Sequence, residues 1–233
     1  MLDSQALPYD QILVEFARTG SDIIRTDPRT HYERIGKDAR RPMEPGFIPI
    51  DKPPLLTAIS YYPNETELSS SEYEDARRHF LRWGETGDVS DYRDAYRGWL
   101  GFRDQVPFVR RWEATLFEML GLRSEETAWL PLVKCPLPAG TAVDKEGMDI
   151  LRDRDLLWAQ LKLIKPEVVL IQGSVVYDAI GRRLDNLKFV RAHPLQKIPQ
   201  FAKAGMVEQQ LQSLVKELRP HIDRLRSERR VAS

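Results

Sequence analysis

The stretch EVVLIQG at residues 167–173 is the clearest predictor of the fold. Its centre is aliphatic and rich in β-branched residues, and Pro166 and Gly173 bound it, a pattern typical of a buried strand. Ser174 follows as a good N-cap for a helix over SVVYDAIGRR. A strand that passes directly into a helix favours a parallel α/β sheet.

Three further segments are predicted to be strands: LLTAIS at 55–60, AWLPLVK at 128–134 and LKFVRA at 187–192. Helical patterns separate them, over most of 72–120, at about 148–164 and over 205–230. Gly121 stands where the helix containing VRRWEATLFEML should end. The alternation predicts a central, mainly parallel four-stranded sheet with helices on both faces, an α/β/α sandwich.

The chain divides into two predicted parts. Residues 1–54 read as a helical and proline-rich extension packed on the core. Residues 55–233 read as the α/β domain, with a helical insertion at about 72–120. A chain of 233 residues is long enough for one sizeable core.

Composition predicts a cytoplasmic protein without a membrane segment. Hydrophobic residues make up 42% of the chain and charged residues 30%, as in ordinary globular proteins. A single cysteine excludes an internal disulfide and fits a reducing compartment. The N-terminal residues lack the apolar stretch of a secretory signal, and the longest aliphatic run, VVLI at 168–171, is too short to cross a bilayer. We expect a monomer.

The charge is zero overall but unevenly distributed. Residues 182–233 contain twelve Lys or Arg and five Asp or Glu, a balance of +7, which leaves −7 for residues 1–181. A basic C-terminal third can bind phosphates locally. A solvated helical face is the equally weighted alternative.

The residues at the predicted strand ends suggest a ligand site, because ligands of open parallel sheets bind at the carboxyl ends of the strands. Those ends read SYYPN, KCPLP, QGS and AHPLQK. They offer aromatic faces, a lysine, a histidine and rigid prolines, which suit a flat ring with polar edges.

Other common chemistries lack their motifs. The sequence contains no G-x-G-x-x-G, no P-loop and no G-x-S-x-G elbow. The four histidines show no metal-ligand spacing among themselves or with Cys135. We therefore predict neither a metal site nor a cofactor.

The order of these motifs resembles the uracil-DNA glycosylase superfamily over roughly residues 55–200. The segments that carry the resemblance are a strand ending in x-x-P, LVKCPLP, KPEVVLIQGSVVYDAI and a strand followed by His-Pro. The similarity is closest to the iron-sulfur branch. Its four-cysteine cluster cannot form here, however, because Cys135 is the only cysteine.

The resemblance implies a catalytic loop directly after the first strand. The matching residues are Ser60, Tyr61, Tyr62, Pro63 and Asn64. Tyr62 stands where relatives position the attacking water, and a phenol that is neutral at pH 7 is a poor general base.

Three other residues could replace the water-positioning group: Asn64, Glu65 or Asp104. The sequence does not choose among them. Tyr61 and Tyr62 could alternatively serve only to pack against their loop.

The resemblance also implies a base-binding pocket that differs from that of a uracil enzyme. Pro131 stands where relatives carry a base-reading asparagine, and Lys134 belongs to the same motif. Proline has no side-chain donor or acceptor, so a modified pyrimidine is a better candidate than uracil.

The last motif implies residues that act on the leaving base and on DNA. His193 matches the group that stabilises the departing base anion, and Pro194 and Leu195 match the wedge that fills the duplex. A histidine that merely caps a strand end is the alternative for His193. Phosphate contacts are expected from Gly173 and Ser174 at a helix N-terminus and from three basic residues, Arg191, Lys197 and Lys203.

The sequence thus predicts a DNA glycosylase that flips a base and hydrolyses its N-glycosidic bond, in base-excision repair or in defence against phage. Two alternatives stay open. One is a non-catalytic DNA-binding module with a degenerate glycosylase fold. The other is an unrelated α/β enzyme that acts on a small molecule.

Overall fold

Four parallel strands form the centre of the protein. The computed structural model describes residues 7–26, 44–60, 71–103, 113–132, 134, 150–196 and 204–232. The elements in chain order are α1 (Tyr9–Arg25), β1 (Leu56–Ser60), α2 (Ser71–Thr86), α3 (Val89–Arg103), α4 (Ala114–Leu120), β2 (Thr127–Pro131), α5 (Ile150–Ile164), β3 (Val169–Gln172), α6 (residues 174–184), β4 (Leu195–Gln196) and α7 (Ala204–Ala232).

The sheet has the strand order β2-β1-β3-β4, and every pair is parallel. Successive side chains along a strand point to opposite faces, so each strand contributes to two separate cores. On the first face, Ile59, Leu130 and Ile171 pack with apolar residues of α1, α2, α3, α5 and α6. On the second face, Ala58 and Leu170 pack with α4 and α7. The predicted α/β/α sandwich is therefore confirmed.

Helix α1 belongs to the first core. Leu13 and Phe16 are fully buried there. The Trp83 indole on α2 donates to the Ala17 carbonyl at 2.8 Å, and Ser21 donates to the Gly84 carbonyl at 3.1 Å. These bonds hold α1 against α2.

The outer edge of β2 is covered by residues 44–49. Phe47 forms an antiparallel bridge with Trp129, with N–H···O distances of 2.8 and 2.7 Å. Gly46 has a φ of +95°, and a Cβ there would lie 2.3 Å from the Trp129 carbonyl oxygen. Only glycine fits so close an approach, so this position fixes how the proline-rich segment lies along the sheet.

The prediction of the fourth strand is wrong. Residues 187–192 contain turns, and β4 lies further on at Leu195–Gln196, with an isolated bridge between Val168 and Ala192. Local turn bonds replace the expected ladder, because Leu187 N–H donates to the Leu184 carbonyl and Val190 N–H to the Leu187 carbonyl, both at 2.9 Å. The strand therefore follows the His-Pro motif instead of preceding it.

Helix ends were predicted with mixed success. Gly121 has a left-handed φ of 61° and ends α4 as expected. The N-cap of α6 is Gly173, with a φ of 94°, and not Ser174, which is already helical. Helix α6 also changes its hydrogen-bond pattern, since Ser174–Val176 and Arg182–Leu184 are α-helical and Tyr177–Gly181 between them is π-helical.

Candidate functional site

Three polar residues and a proline stand side by side at the carboxyl edge of the sheet. Ser60 pairs with Pro131, and Gln172 pairs with Gln196. The Ile59–Ile171 pairing places Ser60 beside Gln172 in the next register position. Neighbouring strands are about 4.8 Å apart, so these four residues form one continuous row.

The four side chains of this row point to the same face of the sheet. The residues just before them, Leu130, Ile59, Ile171 and Leu195, all pack in the first core. Because side chains alternate, the row itself must face the second core, where α4 and α7 lie. We call the row, together with Glu113, the edge cluster.

Glu113 joins the cluster from the start of α4. It is only 4% exposed, and the Gln172 side-chain amide donates a hydrogen bond to its Oε1. A buried carboxylate is costly unless donors satisfy it, so this bond helps fix the Glu113 side chain at the edge.

Gln196 is buried with an unused acceptor. Its side chain is 4% exposed, and its Oε1 has no hydrogen-bond partner in the described part of the chain. An unpaired buried carbonyl costs about 1–3 kcal/mol, so a ligand that donates to it would regain that energy. Ser60 and Gln172 beside it are only half-buried, which leaves the row open to a ligand.

Among the described residues, further donor positions at this edge lie at the start of α6. The Gly173 N–H donates to the Gln196 carbonyl at 3.0 Å, which ties α6 to β4. Ser174 is exposed, and a Cβ on Gly173 would meet no atom within 4 Å. Both predicted DNA-contact residues of this turn are therefore accessible at the carboxyl edge.

Pro131 and Lys134 were predicted to bind the base, but the structure gives them partners inside the protein. Lys134 is fully buried, and its ammonium donates to the carbonyls of Pro131 at 2.7 Å and Pro45 at 3.3 Å and to Gln160 at 2.7 Å. These three bonds use all three N–H donors of the ammonium. The arrangement favours a structural role for Lys134, which joins the segment before β1 to α5.

His193 does not lie at the carboxyl edge, where its predicted role requires it. It stands three residues before Gln196, about 10 Å back along the strand. Alternation from Leu195 directs its side chain toward the first face, opposite Glu113. Its Nε2 lies 2.7 Å from Asp185 in the turn after α6.

Three neighbours of His193 that were predicted to contact DNA are placed elsewhere as well. Arg191 lies at the amino end of β3, and its side chain is 3.9 Å from Glu167. Pro194 is buried, and its carbonyl accepts the Ile171 N–H at 3.0 Å. Leu195 packs against the first core and so is not directed outward as a wedge.

Five predicted site residues lie outside the described residues, namely Tyr61, Tyr62, Pro63, Asn64 and Lys197. The alternatives Glu65 and Asp104, as well as Cys135 and Lys203, lie outside them too.

Several arginines of the basic C-terminal third bond within the protein. Arg226 donates to the Leu120 carbonyl at 3.3 Å and also to the Gly121 carbonyl, and Arg219 donates to the Met119 carbonyl. Cations at the carbonyl end of α4 offset its dipole. This part of the positive charge holds α7 to α4.

Sequence reasoning missed Glu113 and Gln196 and undervalued Gln172. Gln172 was visible as the polar end of the clearest strand. Gln196 could not be placed at the sheet edge because the fourth strand was predicted at 187–192. Glu113 and Gln172 are 59 residues apart, so no local sequence pattern indicates their contact.

No model of a protein family matches the sequence, and no curated protein matches it. The glycosylase resemblance thus rests on the motifs themselves.

Two kinds of feature are absent from the described residues. No helix there is long and apolar enough to cross a membrane. Those residues also contain no group of three or more His, Cys, Asp or Glu side chains able to hold a metal ion.

Proposed function

We propose that this protein is a DNA glycosylase that removes a modified pyrimidine base by hydrolysing its N-glycosidic bond. The observation that carries the proposal is the polar row of Ser60, Gln172 and Gln196 at the carboxyl edge of a parallel sheet. Two of the segments that carry the family resemblance end there, since Ser60 leads into the SYYPN motif and Gln172 into QGS.

The edge cluster suits a flipped nucleobase. Pyrimidines are flat rings with alternating donors and acceptors, and side-chain amides match such an edge with one acceptor and two donors. Gln196 Oε1 can accept a bond from a ring N–H or an exocyclic amine. The Gln172 and Gln196 side-chain amides, on β3 and β4, would then recognise the base in place of the asparagine that relatives carry at the position of Pro131.

The chemistry needs a donor for the leaving group. Cleavage of the bond between C1′ and the base nitrogen leaves the bonding electron pair on the base. That charge can be stabilised by the Gln196 amide N–H groups, by the Ser60 hydroxyl and by the Gln172 amide N–H that does not bond Glu113. Water supplies the hydroxyl at C1′ and a proton for the base, so an abasic site and a free base result.

Contact with the DNA backbone is assigned to the exposed turn at Gly173 and Ser174 beside the cluster. A glycosylase with this pocket would serve repair of damaged DNA, or defence against phage whose DNA carries modified bases. The two roles share one chemistry and differ only in the base that the pocket accepts.

The test is a base-release screen. Duplex and single-stranded oligonucleotides carrying uracil, 5-hydroxymethyluracil, 5-hydroxymethylcytosine or thymine glycol are incubated with the protein and then treated with alkali. We expect strand breaks at one or more of the modified bases and none in unmodified DNA.

Two outcomes would contradict the proposal in different ways. Salt-dependent DNA binding without any strand break would support the non-catalytic DNA-binding module. Neither binding nor breaks at physiological salt would support an α/β enzyme acting on a small molecule.

A further inference from the structure

We propose that Glu113 is the residue that activates the attacking water and that Gln172 positions its carboxylate, an inference that rests on the glycosylase function proposed above. Neither residue belongs to the segments that resemble the glycosylase superfamily at its catalytic positions. Their assignment comes from the geometry of the carboxyl edge.

The first argument is location. Glu113 begins α4 on the second face, the face toward which Ser60, Gln172 and Gln196 point. Glu113 therefore lies beside the row of residues whose amides can hold the base. Because attack on C1′ requires the water and the departing base to occupy different sides of the sugar, a bound nucleotide would place its C1′ between Glu113 and the base.

The second argument is chemistry. Tyr62 is a poor base at neutral pH, whereas a carboxylate can take a proton from water as the oxygen attacks. Glu113 is only 4% exposed, so it is shielded from bulk solvent, and its interaction with a bound water is strengthened accordingly.

The third argument is fixation. The Gln172 amide donates to Glu113 Oε1. This bond restricts the orientation of the Glu113 side chain at the carboxyl edge. Gln172 stands between Ser60 and Gln196 in the row, so the same side chain links the carboxylate to the residues proposed to read the base.

The step balances as a hydrolysis. Water oxygen forms the bond to C1′, the bond from C1′ to the base nitrogen breaks, and its electron pair leaves with the base. Glu113 takes one proton from the water and passes it on to the departed base, directly or through solvent. The carboxylate is regenerated, and the products are the abasic site and the neutral base.

The principal test compares Glu113→Gln with Glu118→Gln in single-turnover base release. Glu118 lies on the same helix but is exposed, so its variant controls for the loss of one charge on α4. We expect Glu113→Gln to reduce the rate constant at least 100-fold with unchanged DNA binding, because general-base catalysis contributes about 10²–10⁴-fold. Glu118→Gln should stay within threefold of the wild type.

A second variant keeps the proposal falsifiable if Glu113→Gln folds poorly. Gln172→Glu places another carboxylate against Glu113, and two adjacent carboxylates cannot both ionise freely. The acid limb of the pH–rate profile should then move to higher pH, whereas a purely structural contact would lower the rate equally at every pH.

The outcomes separate this inference from the proposed function. If the wild-type protein releases none of the four bases tested, the glycosylase function itself fails. If the wild type is active and Glu113→Gln stays within threefold of it, the function stands and the role of Glu113 is overturned. An unmoved acid limb in Gln172→Glu would likewise overturn the role of Gln172.

Discussion

Gln172 at the carboxyl end of β3 holds the buried carboxylate of Glu113, which lies 59 residues earlier in the chain. The bond joins the central sheet to α4 at the edge where parallel sheets bind ligands. It brings an acid to the row of the sheet edge that also carries Ser60 and Gln196. The functional proposals follow from this relationship.

The first prediction concerns His193. Since His193 lies about 10 Å back from the carboxyl edge and faces the other core, His193→Ala should leave base release within about threefold of the wild type. Asp185→Asn alters the contact between Asp185 and His193 without removing the imidazole and serves as the control. Either variant should cost less than about 1 kcal/mol of unfolding free energy, as exposed pairs do.

A large loss of base release in His193→Ala, with DNA binding retained and with Asp185→Asn normal, would show that the motif-based role of His193 is right. The site would then have to lie away from the edge cluster.

The second prediction concerns the buried ammonium of Lys134. Lys134→Met removes three hydrogen bonds and takes the Lys134 donor from the Pro131 carbonyl and from Gln160 Oε1, while the Pro45 carbonyl still accepts the Gln160 amide at 2.7 Å. We expect a loss of about 2–4 kcal/mol in urea-induced unfolding. Lys162→Met, at an exposed position of α5, should change stability by no more than about 0.5 kcal/mol.

If Lys134 instead reads the base, the same variant would unfold near the wild-type urea concentration and lose base release selectively. That pattern would restore the role implied by the sequence motif.

The third prediction concerns two glycines whose replacement by alanine should change stability in opposite directions. A Cβ at Gly20 would lie 2.3 Å from the Trp83 ring, whereas a Cβ at Gly101 would meet nothing within 4 Å. The hydrogen bond from Trp83 to Ala17 prevents the ring from moving aside. Gly20→Ala should therefore destabilise the protein by about 1–3 kcal/mol, despite the better helix propensity of alanine.

Gly101→Ala gains the helix propensity without the clash and should stabilise the protein by about 0.5–1 kcal/mol. Thermal and urea unfolding measure both variants. Equal effects of the two substitutions would refute the close packing of α1 against α2.

The fourth prediction concerns alkaline pH. Burial raises the pKa of Tyr9, whose hydroxyl donates to the Pro49 carbonyl at 2.5 Å, and burial also raises the pKa of Tyr92. Below pH about 10 both phenols are neutral in the folded and unfolded states, so the two tyrosines contribute no pH dependence to the free energy of unfolding. Above that pH only the unfolded state ionises, and each tyrosine lowers stability by about 1.4 kcal/mol per pH unit.

Tyr9→Phe removes one of these two contributions. The variant should be less stable than the wild type at pH 8, by about 1 kcal/mol for the lost hydrogen bond, and the difference should shrink or reverse by pH 11. Urea midpoints at both values measure this. A constant difference across the range would mean that Tyr9 ionises equally easily in both states.

Local patterns predicted the strands β1 and β3 well, because each combines an aliphatic run with turn residues at its ends. The same kind of pattern failed at 187–192. There Leu187 and Val190 pack against the first core from turns, so apolar residues are partly buried without forming a ladder. A burial pattern alone does not distinguish these two arrangements.

The candidate site was harder to predict than the fold. Its level at the carboxyl edge follows from the parallel sheet and could be expected from sequence. The residues that form the site could not be predicted. The place of Gln196 depends on the true register of β4, and the place of Glu113 depends on where α4 crosses the second face. The motif residue Lys134 was instead assigned to the site from its type, although its burial against Pro45 and Gln160 arises from contacts distant in sequence.

The most direct test of the central claim is the mass-spectrometric quantification of free base and abasic sites from modified DNA incubated with the wild-type protein. Hydrolysis of the N-glycosidic bond predicts that the two products appear in equal amounts and at the same rate. DNA that is bound by the protein but yields neither product, for every modified base tested, would contradict the glycosylase account.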